Sequence, residues 1–330
     1  MSADARRRVE IDALKVAGIV TIVLIHAMRS PWDTSVSAVE VWIGHATRFG
    51  VPAFLAASGY LYATRKPIPI ATTRGRLRRI LLPYLVASLA AQVFRFWRDM
   101  PPDTGAIWKD LLLAASFGPY YYVLVIALLV LATPLFARIP VRALVPVTLA
   151  FGAAQWVVDA APFGHPALIW HLRNPLLWWA YFLAGWSVRL HRESLSRWVR
   201  ARGSALSGAC VGAALCLTAA SALEGSAPRL FVRSAAWLDV YAILGAIALL
   251  SRHLRRSPAW LRRVSDATYA IYLFHLFFLL PVQELVPPPL GRVSLLAIGL
   301  PWLAGIAGSL ALVVAARAVL GSRSRDWVGA

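Results

Sequence analysis

Residues 11–26 read IDALKVAGIVTIVLIH. Two acids and a lysine, Glu10, Asp12 and Lys15, stand at the mouth of an apolar run from Val16 to Ala27, with His26 inside it. Arg6-Arg7-Arg8 precede the run, so the start of the chain has the outline of a secretory signal. No stretch with the composition of a soluble mature domain follows. The run is therefore expected to stay in place as a first membrane helix, and the question becomes what surrounds it.

Nine further apolar segments follow, at roughly 38–63, 80–97, 119–137, 141–158, 175–190, 205–222, 235–251, 267–285 and 295–320. With the first, at 14–30, they make about ten, most of them near the ~20 residues that cross a bilayer core. Hydrophobic residues make up 59% of the 330, above the roughly 45–50% of a soluble domain, and lipid is the simplest place to bury the excess. No alternating barrel pattern is present. An all-α polytopic transmembrane bundle is the fold expected, as a single domain over residues 1–330 without an appended soluble domain.

The loop charges set an orientation. With the N-terminus inside, 24 loop arginines and lysines fall on the inner side and 8 on the outer side. That asymmetry follows the positive-inside rule and needs an even number of crossings, with both termini cytoplasmic. The net charge of +19 is divided among short segments between apolar runs, with no single basic face, which argues against nucleic acid as a partner. Several of the 14 tryptophans, Trp32, Trp97, Trp108, Trp198, Trp260 and Trp327, lie near the ends of apolar runs, where an indole suits the headgroup region. Cys210 and Cys216 point to different faces of one helix, so no disulfide is expected, and no metal constellation is visible. The longest outer connection, from Arg95 to Gly118, carries an expected surface helix at Ile107–Ala115.

Ionisable groups inside membrane segments are costly and mark functional candidates. Lys15 and His26 are eleven positions apart, close to three helical turns, so both project from a similar face about 16 Å apart. That spacing suits a long donor molecule, with a cation near the cytosolic end for phosphates and an imidazole deeper in. A neutral histidine can take the proton of a hydroxyl as its oxygen attacks a thioester. The plainer alternative is a snorkelling lysine and a histidine bonded to a neighbouring helix. Arg48 lies well inside the second run and needs an anionic or strongly polar partner: a phosphate, a thioester oxygen or an internal carboxylate such as Asp239. Ser58-Gly59 by itself signals close helix packing. His45 suits a core hydrogen bond; His165 and His171 fall in an outer loop, and His191 and His253 in basic cytosolic segments.

Six stretches resemble the acyltransferase-three family of bacterial integral-membrane acyltransferases, in that family's order. They are IDALKVAGIVTIVLIH (Ile11 to His26), RFGVPAFLAASGYL (Arg48 to Leu61), RLRRILLPYL (Arg76 to Leu85), GPYYYVLVIALLVLATPLF (Gly118 to Phe136), YFLAGW (Tyr181 to Trp186) and SDATYAIYLFH (Ser265 to His275). Lys15 stands where the family usually has arginine, and Leu55 where a second phenylalanine is common. The resemblance implies an enzyme of the bacterial cytoplasmic (inner) membrane. It would move an acyl group, usually acetyl, from acyl-CoA (acetyl-CoA) as co-substrate to a hydroxyl of a carbohydrate or glycoconjugate acceptor, with no tightly bound cofactor. It implies His26 as the catalytic residue, Lys15 and Arg48 as contacts to donor or reaction centre, and Asp12, Ser58, Tyr122 and His275 in support. A transporter or exporter of a polar or anionic molecule is the alternative, with Arg48 and His26 as its ligands; the repeats that would favour it are not found.

Overall fold

The computed structural model describes residues 8–28, 38–160, 172–223, 236–254, 256–286 and 294–329. Among these the chain is helical, with no strand. In order, the helices are α1 (Val9–Ala27), α2 (Ala38–Thr47), α3 (Gly50–Tyr62), α4 (Ile70–Trp97), α5 (Ile107–Leu112), α6 (Tyr121–Phe136) and α7 (Val141–Ala160). They continue with α8 (Trp179–Leu190), α9 (Arg192–Leu223), α10 (Ala236–Ser251), α11 (Ala259–Leu285), α12 (Leu295–Leu320) and α13 (Ser324–Trp327).

Among the described residues, six helical stretches are long and apolar enough to cross a membrane. They are Ile70–Trp97, Gly118–Phe136, Val141–Val158, Arg192–Ala220, Ala259–Leu285 and Leu295–Trp327. The remaining expected segments are also helical but shorter, or, like α1, polar at one end. Large apolar side chains stand exposed along α4 at Leu81, Leu85, Leu89, Val93 and Phe96, a stripe at helical spacing. Water does not favour such a stripe, and acyl chains do. Trp97, Trp108, Trp198, Trp260 and Trp327 are exposed too; Trp32 lies outside the described residues. Cys210 and Cys216 are free thiols.

Two expected elements take a different form. The second apolar run is not one helix: it breaks between Thr47 and Gly50. Pro52 falls in the first turn of the restarted helix, where its missing N–H leaves no bond unmade. The loose ends are closed locally. The Thr47 hydroxyl donates to the Ile43 carbonyl at 2.6 Å, and the Ala53 amide to the Phe49 carbonyl at 2.8 Å. Irregular backbone inside a bundle survives only where it is satisfied in this way or lines a cavity. The seventh run, in turn, extends backwards: α9 already starts at Arg192 and bends at Arg202, so its basic segment is helical rather than a loop.

α1 runs through the interior, packed on α3, α10, α11 and α12. Its Ile19, Ile22 and Val23 are almost fully buried. Backbones approach closely wherever glycine permits. A Cβ on Gly18 would come within 3.0 Å of the Gly50 carbonyl oxygen, so α1 and α3 touch through glycines. A Cβ on Gly59 would stand 1.9 Å from the Phe182 oxygen, and one on Gly185 1.9 Å from the Ala56 oxygen, which locks α3 to α8.

Side-chain bonds fix how the helices run. Asp12 meets Ser257 and Ser265, while Gln283 reaches the Ala27 and Met28 carbonyls, so α1 and α11 are parallel. α4 runs the same way, since Tyr269 donates to the Ile80 carbonyl and Arg98 pairs with Glu284. α13 packs where these helices begin: Arg78 lies 3.6 Å from Asp326, and Gly329 sits beside Tyr269 and Pro83.

At the opposite end, the connection after α4 folds around a buried carboxylate. Asp110, on α5, accepts from Gln92 Nε2 (3.1 Å), Thr104 Oγ1 (2.6 Å) and the Thr104 and Asp103 amides (2.9 and 3.2 Å). Arg95 crosses the same loop to Asp103 at 2.7 Å and to the Pro101 carbonyl. Arg173 donates to the carbonyls of Leu113 and of Ala114, the latter held at φ 52°.

Candidate functional site

α1 carries polar groups at both of its ends, and each end meets α11. Near its start, Asp12 is buried and uses both carboxylate oxygens: Oδ1 accepts from Ser265 Oγ at 2.6 Å and Oδ2 from Ser257 Oγ at 2.8 Å. Lys15 Nζ donates to the Ser265 carbonyl. An acid at the first turn also suits the positive end of the helix dipole. This cluster ties the beginnings of α1 and α11 together.

Eleven residues on, about 16 Å by helical rise, His26 meets a second histidine. His26 Nδ1 and His275 Nε2 are 3.1 Å apart, with ring centroids at 5.1 Å. His275 is fully buried, and its Nδ1 faces the carbonyls of Tyr272 (2.8 Å) and Ile271 (3.1 Å). The neighbouring strut is Trp302, whose Nε1 donates to the Val20 carbonyl at 3.0 Å.

A file of aromatic rings continues from the histidines. Tyr272 lies 6.3 Å from His275 and 5.2 Å from Tyr122, centroid to centroid. Tyr122 lies close to Ser58 on α3 and packs against Phe54. Tyr272 and Tyr120 brace α11 reciprocally against the turn that leads into α6, each hydroxyl donating to a carbonyl beside the other ring, at Pro119 and Leu273. Three of the sequence-predicted residues, His26, His275 and Tyr122, thus fall in one file of rings, with Ser58 beside Tyr122. Tyr272 joins them, and its position one helical turn before His275 was the available signal.

Arg48 occupies the break between α2 and α3. The next residues pack on α1 at Gly18, Thr21 and Ile22, one to two turns before His26. Its charge acts on Asp239 of α10, which is fully buried. The internal carboxylate expected as one possible partner is therefore within electrostatic reach. His45 is buried on α2; His191 Nδ1 lies 2.9 Å from the Ser187 carbonyl, and His253 is exposed. His165 and His171 lie outside the described residues.

One residue was not singled out from the sequence. Arg76, near the start of α4, lays its guanidinium over the Tyr62 ring at 4.6 Å, and its buried Nη1 has no hydrogen-bond partner. Its place in a run of four arginines made it look like an ordinary topogenic charge. Among the described residues no group of three or more His, Cys, Asp or Glu is arranged to hold a metal ion.

Set beside known proteins, residues 8–319 match the model of a family described as an acyltransferase domain. No curated protein and no solved structure matches the chain.

Proposed function

Because the chain belongs to this acyltransferase family, we propose that it is a membrane O-acyltransferase that moves an acyl group, acetyl in the simplest case, from acyl-CoA to a hydroxyl of a carbohydrate or glycoconjugate. The observation that carries the reading is the His26–His275 pair inside the bundle. A half-buried imidazole held inside the bundle by a second, fully buried one is a functional candidate by default. His26 is the general base. Its ring takes the acceptor's hydroxyl proton as the oxygen bonds to the thioester carbonyl carbon. The carbon–sulfur bond then breaks, and the coenzyme thiolate leaves with that proton.

Cations accompany the imidazole along the path. Lys15 lies about 16 Å nearer the start of α1, a separation matching a donor with phosphates at one end and a thioester at the other. Arg48 places fixed positive charge at the helix break, suited to the oxyanion that develops on the thioester oxygen. Asp12 holds Lys15's end of α1, and Ser58 with Tyr122 backs the histidine pair.

The same reading takes about ten crossings with both termini cytoplasmic, in a bacterial inner membrane, and the helix directions fit a shared side for the two ends. α1, α4 and α11 run in one direction, and α13 packs where they begin. That end carries Arg74, Arg76, Arg78, Arg79, Arg323 and Arg325, the charge expected of a cytosolic face.

The test uses purified protein in liposomes with labelled acetyl-CoA and a panel of glycan acceptors. Covalent label on an acceptor supports the enzyme. Passage of solute without label on any acceptor supports transport instead. Total glycan acetylation compared in cells with and without the protein then narrows the acceptor.

A further inference from the structure

We infer that His275 is a positioning residue that fixes the tautomer of His26, holding a proton on His26 Nδ1 and leaving His26 Nε2 bare as the basic atom. The inference rests on the reading of His26 as the base and specifies which of its nitrogens does the work.

The argument follows the direction of each hydrogen bond. Carbonyl oxygens only accept. His275 Nδ1 faces two of them, at Tyr272 (2.8 Å) and Ile271 (3.1 Å), so Nδ1 of His275 must carry a hydrogen. In a neutral ring its Nε2 then has none and can only accept. That bare nitrogen lies 3.1 Å from His26 Nδ1, which must therefore donate. A neutral His26 so constrained keeps its lone pair on Nε2.

The backbone of α11 thus sets the chemistry of α1 through one intervening ring. In hydrolases built on serine and histidine, a buried carboxylate sets the histidine tautomer in the same way. Here a neutral imidazole does so, without placing a second charge in the bundle. When His26 takes the acceptor proton and becomes cationic, its Nδ1–H bond to His275 becomes charge-assisted and stronger. The pair therefore favours the transition state over the resting state, which is the requirement for raising kcat.

Two measurements test this. The first is nitrogen-15 NMR of histidine-labelled protein in lipid nanodiscs, with the His26 signals identified by their loss in His26→Ala. Protonated Nδ1 with bare Nε2 on His26 is expected; protonated Nε2 with bare Nδ1 overturns the inference without any activity assay. The second is steady-state transfer. His275→Ala should lower kcat about 10²-fold while KM stays within about two-fold. His275→Gln, whose carbonyl oxygen can accept from His26 Nδ1, should recover most of that loss. Wild-type kcat in His275→Ala, or no recovery in His275→Gln once both variants purify with wild-type melting midpoints, overturns the inference. Transfer that survives in His26→Ala instead overturns the base reading itself, so the two failures are distinguishable.

Discussion

Asp12 Oδ1 accepts a 2.6 Å hydrogen bond from Ser265 Oγ, joining residues 253 positions apart at the shared beginning of two parallel helices. The same pair of helices is joined again further along by His26 and His275. α1 and α11 are therefore clamped at two levels, and the histidine geometry depends on the register that the aspartate sets.

Asp12→Ala should accordingly lower stability more than its size suggests. Ser257 and Ser265 lose their acceptor, and Lys15 loses a nearby anion. Stranded buried donors cost about 1–3 kcal/mol. A fall in the melting midpoint in detergent, together with loss of transfer, is expected; Asp12→Asn, which keeps an acceptor oxygen, should fall in between.

Gly59→Ala and Gly185→Ala should separate α3 from α8. Each new methyl would meet a backbone carbonyl oxygen at 1.9 Å, and backbone cannot swing aside as a side chain can. Overpacking of this kind costs about 1–3 kcal/mol, occasionally more. Gly208→Ala and Gly212→Ala in α9 meet nothing within 4 Å and should be neutral or slightly stabilising, since alanine is the better helix former by about 1 kcal/mol. Thermal melts of the four variants provide the comparison.

Much of this fold was legible in the apolar runs, because a helix that faces lipid must advertise its length in hydrophobic residues. The break at Arg48 was not, since hydropathy stays high across 38–63 and Pro52 alone marks the restart of the helix. The site divides similarly. His26, Lys15 and Arg48 stand out because charge in an apolar run is conspicuous. The pairing of His26 with His275 spans 249 positions and is made by packing, which spacing within one helix does not encode; His275 was legible as a polar group in its own apolar run, and its supporting role came from the family resemblance. Asp110 went unremarked because an acid in an outer loop reads as solvated, whereas the loop wraps it.

Acid should loosen that loop. Burial pushes the Asp110 carboxyl up, but hydrogen bonds from Thr104, Gln92 and the Asp103 and Thr104 amides outweigh it and hold it below the usual aspartate value. A carboxyl with a lowered folded-state pKa contributes stability that is fully present above its unfolded value, near 4, and is lost as pH falls through the folded value. Melting curves between pH 7 and pH 3 should show a drop confined to the acid side, and Asp110→Asn should flatten that part of the profile while lowering stability at pH 7.

Arg48 and Asp239 should prove coupled. Arg48→Ala removes the positive charge that acts on the buried Asp239 carboxyl and should lower stability. Adding Asp239→Asn should restore part of that stability, and a double-mutant cycle on melting midpoints measures the coupling. If Arg48 also serves the thioester, transfer should stay low in the double variant even where stability returns.

The most direct measurement is acetyl transfer by purified His26→Ala against wild type, at matched folding shown by equal melting midpoints and elution. Removal of a general base predicts a fall in kcat of about 10²–10⁴-fold, with donor binding retained. Transfer within about two-fold of wild type in the folded variant would contradict the account, because no proton acceptor would then be needed at position 26.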